Sequence, residues 1–281
     1  MLTPKDIVVY FEPRPNEWSE RLLAHAAKLA SAWQAHLVVA FVPEDVLLSP
    51  YAGFVRGGAI ASISEEAWLR TEKSVAFLRS ALEQIEGQYE VSSELRVWEG
   101  ERDTGLMLHA RHAGLTILEH DRKPARHVST LSVSEEIVLV SGRPSLLFPA
   151  GWPLDWEPKR ILIGWNASRE ATRAIADAMP FLLQASHVHV AVVPEASVER
   201  LLGEDPGTDI SRHLARYGVS VTLDRLEGGN AGAALREHAR AISADMMVMG
   251  AYGQPKIREF IFGSATQSFL ANLDLPVLLS R

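Results

Sequence analysis

"RILIGWNASREATRAIADAMPFLLQASHVHVAVVPE", residues 160–195, decides the fold. A short apolar, β-branched run opens it, an alanine-rich stretch with apolar residues at helical spacing follows, and a second apolar run closes it. Short apolar runs read as buried strands, and apolar residues recurring every three or four positions read as a helix with one buried face. Ser168 stands just before the helical stretch and is expected to cap it, with Glu170 close behind. Strand, helix and strand in succession imply a parallel pair joined by a crossover helix.

The pattern continues to the end of the chain. "TDISRHLARYG" reads as a helix closed by Gly218, "VSVTLDRL" as a strand, "NAGAALREHARAIS" as a helix and "ADMMVMG" as a strand. "SATQSFLANL" is a further helix and "LPVLLSR" a final strand. The strands lack strict alternation, which fits a parallel sheet buried on both faces.

The same unit occurs twice. "HLVVAFVPE" (36–44) returns as "HVHVAVVPE" (187–195), "YEVSSELRVWEG" (89–100) as "YGVSVTLDRLEG" (217–228), and "RPSLLFP" (143–149) as "LPVLLSR" (275–281). Three matches in one order indicate two copies of one α/β domain. The expected division is 1–150 and 157–281, joined through "PAGWPLDWEP" (149–158). The first copy has a longer insertion before its third strand, including the amphipathic stretch "SEEAWLRTEKSVAFLRSALEQIEG".

Composition narrows the function. The chain has 281 residues, 47% of them hydrophobic and 22% charged, as in a soluble globular protein with ample core material. A net charge of −7 argues against a polyanion-wrapping surface, so no nucleic-acid partner is expected. No cysteine occurs, which removes disulfides, thiolate metal sites and cysteine nucleophiles. No membrane span and no signal peptide are read, and a cytoplasmic location is expected.

Residues 249–266, "MGAYGQPKIREFIFGSAT", carry the most specific signal. Gly250 ends a strand, where ligands of open parallel sheets bind. Gly250 and Gly253 are expected to take positive φ in a tight anion-binding loop. Gly263 and Ser264 precede a helix whose free N–H groups favour phosphate, and Ser264 and Thr266 add hydroxyls. The same residues also suit an ordinary turn and an ordinary helix cap. Neither a Walker A loop nor a G-x-G-x-x-G fingerprint is present.

This stretch resembles the universal stress protein family, whose nucleotide-binding members carry G-x2-G-x9-G-[ST]; Gly250, Gly253, Gly263 and Ser264 match it without a gap. The resemblance covers residues 159–281 fully and the first half in layout only, and the whole chain is similar to the tandem, two-domain form. It implies two open parallel-sheet, Rossmann-like domains of the adenine nucleotide α-hydrolase-like kind. It also implies that the second domain binds ATP or a related adenine nucleotide, with or without Mg²⁺. The implied nucleotide-binding residues are Gly164, Asn166, Ser168, Val192, Met249, Gly250, Gly253, Gly263, Ser264, Ala265 and Thr266. The family's first strand ends in Asp-x-Ser; here Asn166 replaces the Asp, which removes a charge and weakens the case for a metal there. In the first copy Glu119 and Arg122 stand at the positions of Gly250 and Gly253, so that copy is expected to act as a structural partner in an intramolecular pseudo-dimer. A homodimer of the tandem chain is the further assembly considered.

The expected role is stress-response regulation by nucleotide binding, with at most slow ATP hydrolysis and no catalytic residues. The alternative is an interaction module that ignores nucleotide. An adenylating enzyme is the remote third, because "GWNASRE" does not match the S-G-G-x-D-S loop of such enzymes. His187 and His189 share one face of a strand, and His36 repeats the first; without a third ligand in view they read as packed or surface histidines, and no metal site is expected. His109 and His112 read as a solvated helix face, and Lys256 and Arg258 either as reaching a γ-phosphate or as surface charge.

Overall fold

A computed structural model describes residues 3–11, 15, 17–43, 58–98, 102–120, 133–153, 155–193, 206–227, 229–251 and 264–281. The chain forms two compact units, Pro4–Glu119 and His120–Arg281.

The N-terminal unit runs β1 (Asp6–Phe11), α1 (Glu17–Trp33), β2 (His36–Phe41), α2 (Gly58–Tyr89), β3 (Ser93–Val97), α3 (Arg102–His112) and β4 (Leu115–His120). Its strands lie in the order β3-β2-β1-β4, all parallel. Ile7, Val9, Leu37, Val39 and Ile117 are fully buried, as strands covered on both faces require.

The C-terminal unit continues with α4 (Val133–Val140), β5 (Ser145–Pro149), β6 (Arg160–Gly164), α5 (Arg169–Leu182), β7 (His187–Val192), α6 (Thr208–Arg216) and β8 (Val221–Arg225). It ends with α7 (Ala231–Ala241), β9 (Met246–Gly250), α8 (Ser264–Leu270) and β10 (Val277–Ser280). Strand order is β5-β10-β9-β6-β7-β8. The order reverses on either side of β6, so the switch point lies between β6 and β9, where Gly164 is in register with Met249.

The local signals act as expected. Ser168 caps α5, its Oγ accepting from the Ala171 N–H at 3.1 Å. Asn230 caps α7 through the Ala233 N–H at 3.0 Å. Gly218 follows α6 at φ +84°, a left-handed conformation that ends helices and favours glycine. Two features depart from the sequence reading. The "RPSLLFP" strand, assigned to the first copy, is β5 and pairs antiparallel with β10, Val277 opposite Leu147, inside the C-terminal unit. The compact unit therefore begins at His120, upstream of the repeat boundary near 150. Trp156, in the segment read as linker, donates its indole N–H to the Asp245 carbonyl at 2.8 Å and packs edge-on against Phe148.

Candidate functional site

The carboxyl end of β6 leads into a turn at Trp165–Ser168. The Asn166 side-chain oxygen accepts from the Ser168 N–H at 3.2 Å, closing an Asx turn. That closure holds Ala167 at φ +56°, a left-handed conformation unusual for alanine. Ser168 then caps α5, and the Thr172 hydroxyl donates to the Ser168 carbonyl at 3.0 Å. Asn166 is exposed and Glu170, in the first turn of α5, is buried.

Gly250 ends β9 directly against this turn. A Cβ there would lie 2.4 Å from the Ala171 nitrogen and 2.6 Å from the Glu170 carbonyl carbon. Both are backbone atoms, so glycine is needed for α5 to pack as closely as it does. The positive φ expected at Gly250 is not found: it sits in the strand, in register with Ser280 of β10, outside the left-handed region. The Gly250 carbonyl accepts from the Thr266 hydroxyl at 3.3 Å, which ties the first turn of α8 to the end of β9.

The expected site residues divide as follows. Gly164, Asn166, Ser168, Met249, Gly250 and Thr266 come together at the β6–β9 switch point. Ala265 follows in the first turn of α8, and its carbonyl lies 2.4 Å from where a Cβ on Gly232 of α7 would sit. Val192 is buried at the end of β7; its carbonyl accepts from the Leu226 N–H at 2.9 Å, and its side chain lies against Gly207. Gly253, Gly263, Lys256, Arg258, Arg122 and the Ser264 side chain lie outside the described residues.

A second constellation, not connected by the sequence reading, lies between β7, β8 and α7. The Asp224 Oδ2 accepts from His189 Nδ1 at 2.7 Å and from His238 Nε2 at 2.9 Å. A carboxylate only accepts, so both rings donate to it. Burial alone would raise the Asp224 carboxyl, but the hydrogen bonds from His238 and His189 outweigh it and hold it below the usual carboxylate range. His187 lies beside His189 with the rings tilted at 57° and their centres 4.9 Å apart, and it bonds to Thr222 at 2.9 Å and Ser220 at 3.3 Å. Asp245 is structural: its Oδ2 accepts from the backbone N–H groups of Lys159 and Arg160 at 3.0 and 2.7 Å.

One helix face also differs from expectation. His112 is exposed, but His109 is half-buried, stands edge-on to Trp98 at 6.0 Å, and has a buried Nε2 without a hydrogen-bond partner.

Residues 157–281 match the universal stress protein family. The second repeat is a universal stress protein domain. Over 59 residues it is 44% identical to the stress response protein NhaX of Bacillus subtilis, a match covering 21% of this chain. The chain spans about a third, 35%, of the length of that curated relative. A universal stress protein from Archaeoglobus fulgidus shares the fold over 100% of this chain and 97% of its own, at 17% identity and a TM-score of 0.74. A functionally unknown protein of Pseudomonas aeruginosa does so over 99% and 92%, at 18% identity and a TM-score of 0.65. Among the described residues of this chain no helix is long and apolar enough to cross a membrane.

Proposed function

We propose that the domain at 157–281 binds ATP or a related adenine nucleotide at the β6–β9 switch point and uses occupancy as a stress-response signal. The observation that carries this reading is the junction of β9, α5 and α8. Gly250 meets the start of α5 with no room for a Cβ, and Thr266 bonds to the Gly250 carbonyl. The two ends of the G-x2-G-x9-G-S segment are thus held together at the place where open parallel sheets bind ligands. In this reading Gly164, Asn166 and Ser168, at the end of β6 and the turn after it, face the nucleotide, and Val192 and Met249 are the buried residues beneath it. Gly253 and Gly263 supply the backbone freedom for a phosphate loop.

Gly250 alone does not distinguish ligand from packing, because α5 already requires it. Gly253 and Gly263 do. Calorimetry with ATP is expected to give saturable binding to the wild type and none to a Gly253→Val, Gly263→Val double variant with an unchanged circular dichroism spectrum. Equal binding by both proteins, or none by either, overturns the reading and favours a nucleotide-independent interaction module.

A further inference from the structure

We propose that His189, Asp224 and His238 bind one divalent transition-metal ion of the zinc class, at a site separate from the nucleotide switch point. His189 Nδ1, Asp224 Oδ2 and His238 Nε2 all lie within 4.8 Å of one another. Zinc bonds of about 2 Å in a tetrahedron separate ligand atoms by about 3.3 Å, so the two N···O contacts need to open only slightly. When the ion takes the place of the shared hydrogens, each ligating nitrogen gives up its proton: a neutral ring moves it to its other nitrogen through solvent, and a protonated ring keeps one and releases one to solvent.

The donor set selects the ion. Two imidazoles and one carboxylate suit zinc and its first-row neighbours, whereas calcium and magnesium prefer oxygen ligands throughout. Three protein ligands leave a fourth position for water. The side chains are 13%, 20% and 20% exposed, which shields the site while leaving a path for the ion. Asp224 brings one negative charge toward a divalent ion.

The scaffold holds the ligands from three elements. His189 and Asp224 sit on neighbouring parallel strands, β7 and β8, and His238 descends from α7, which directly follows β8. His187 is occupied by Ser220 and Thr222 and buttresses the His189 ring rather than ligating. A bound ion would pin the edge strand β8 to both its strand neighbour and its covering helix.

The test uses tag-free full-length protein, stripped with chelator and titrated with Co(II) and then Zn(II) without nucleotide. The expected result is one Co(II) per chain with the visible bands of four-coordinate cobalt, displaced by Zn(II), and a rise in melting temperature with zinc. Asp224→Asn and His238→Gln should each weaken zinc binding by at least about 100-fold. His112→Gln and His213→Gln, on exposed helix positions, should leave it unchanged. His189→Gln answers the same question if either variant fails to match the wild-type circular dichroism. An absent cobalt spectrum, or equal zinc affinity in the ligand variants, overturns the proposal. Because the titration omits nucleotide and leaves Gly253 and Gly263 unchanged, its outcome is independent of ATP binding.

Discussion

Where the C-terminal repeat carries Asp224 between two histidines, the N-terminal repeat carries Arg96. The rest of the neighbourhood is shared. His36 bonds to Ser92 at 2.9 Å as His187 bonds to Ser220, and "HAR" recurs at 109–111 and 238–240. Val38 takes the place of His189. In the N-terminal unit Arg96 pairs with Glu94, which also faces His36 at 3.4 Å. Among the described residues the buried His109 Nε2 meets no hydrogen-bond partner there. Burial, then the charges of Arg96 and His112, push it below the usual histidine value despite Glu94. The repeated His–Ser contact belongs to the fold. The exchange of Val38 and Arg96 for His189 and Asp224 turns a cation-repelling face into a cation-attracting one.

The largest effect expected from this contrast is its reversal. Asp224→Arg should abolish the cobalt spectrum, a loss above about 100-fold. Val38→His with Arg96→Asp should raise the cobalt stoichiometry from one ion per chain to two; a count still at one would show that backbone placement separates the repeats. Next comes the contrast at the strand ends, Gly250 against Glu119. Gly250→Val places a side chain against the α5 backbone and should cost about 1–3 kcal/mol, read as a lower urea midpoint at unchanged slope. Ser168→Ala removes the α5 cap and should cost about 1 kcal/mol, with Ser168→Asp recovering most of it.

The smallest effect is a pH dependence confined to the first repeat. A histidine whose folded value is depressed contributes stability that is present above its unfolded value and lost as pH falls toward the folded one. Stability of the N-terminal unit should therefore fall as pH drops below about 6.5, and His109→Gln should flatten that slope in urea melts at several pH values.

The fold was legible because each element announces itself locally. "RILIG" and "HVHVAV" carry the strand pattern, Ser168 and Asn230 cap helices with their own side chains, and Gly218 ends one by its own φ. The roles of Gly250 and Asp224 were not legible for one common reason: both depend on neighbours distant in sequence. Gly250 is glycine because α5 approaches it, a fact of packing that spacing does not carry. Asp224 and His238 are fourteen positions apart, on a strand and a helix, and meet His189 only once β7 and β8 are in register. The shared "HAR" was the available signal, since it marks His238 as part of the repeat's framework. His109 reads as solvated for the same reason: Trp98, which covers it, is placed by β3.

The antiparallel strand β5 puts the repeat in the gene and the repeat in the sheet one strand out of phase. A fragment cut at residue 157 would retain the whole family match yet strip β5 from Val277, Leu278 and Leu279, all fully buried. A bare apolar edge recruits another chain. Such a fragment would self-associate along β10, the strand that β5 otherwise pairs.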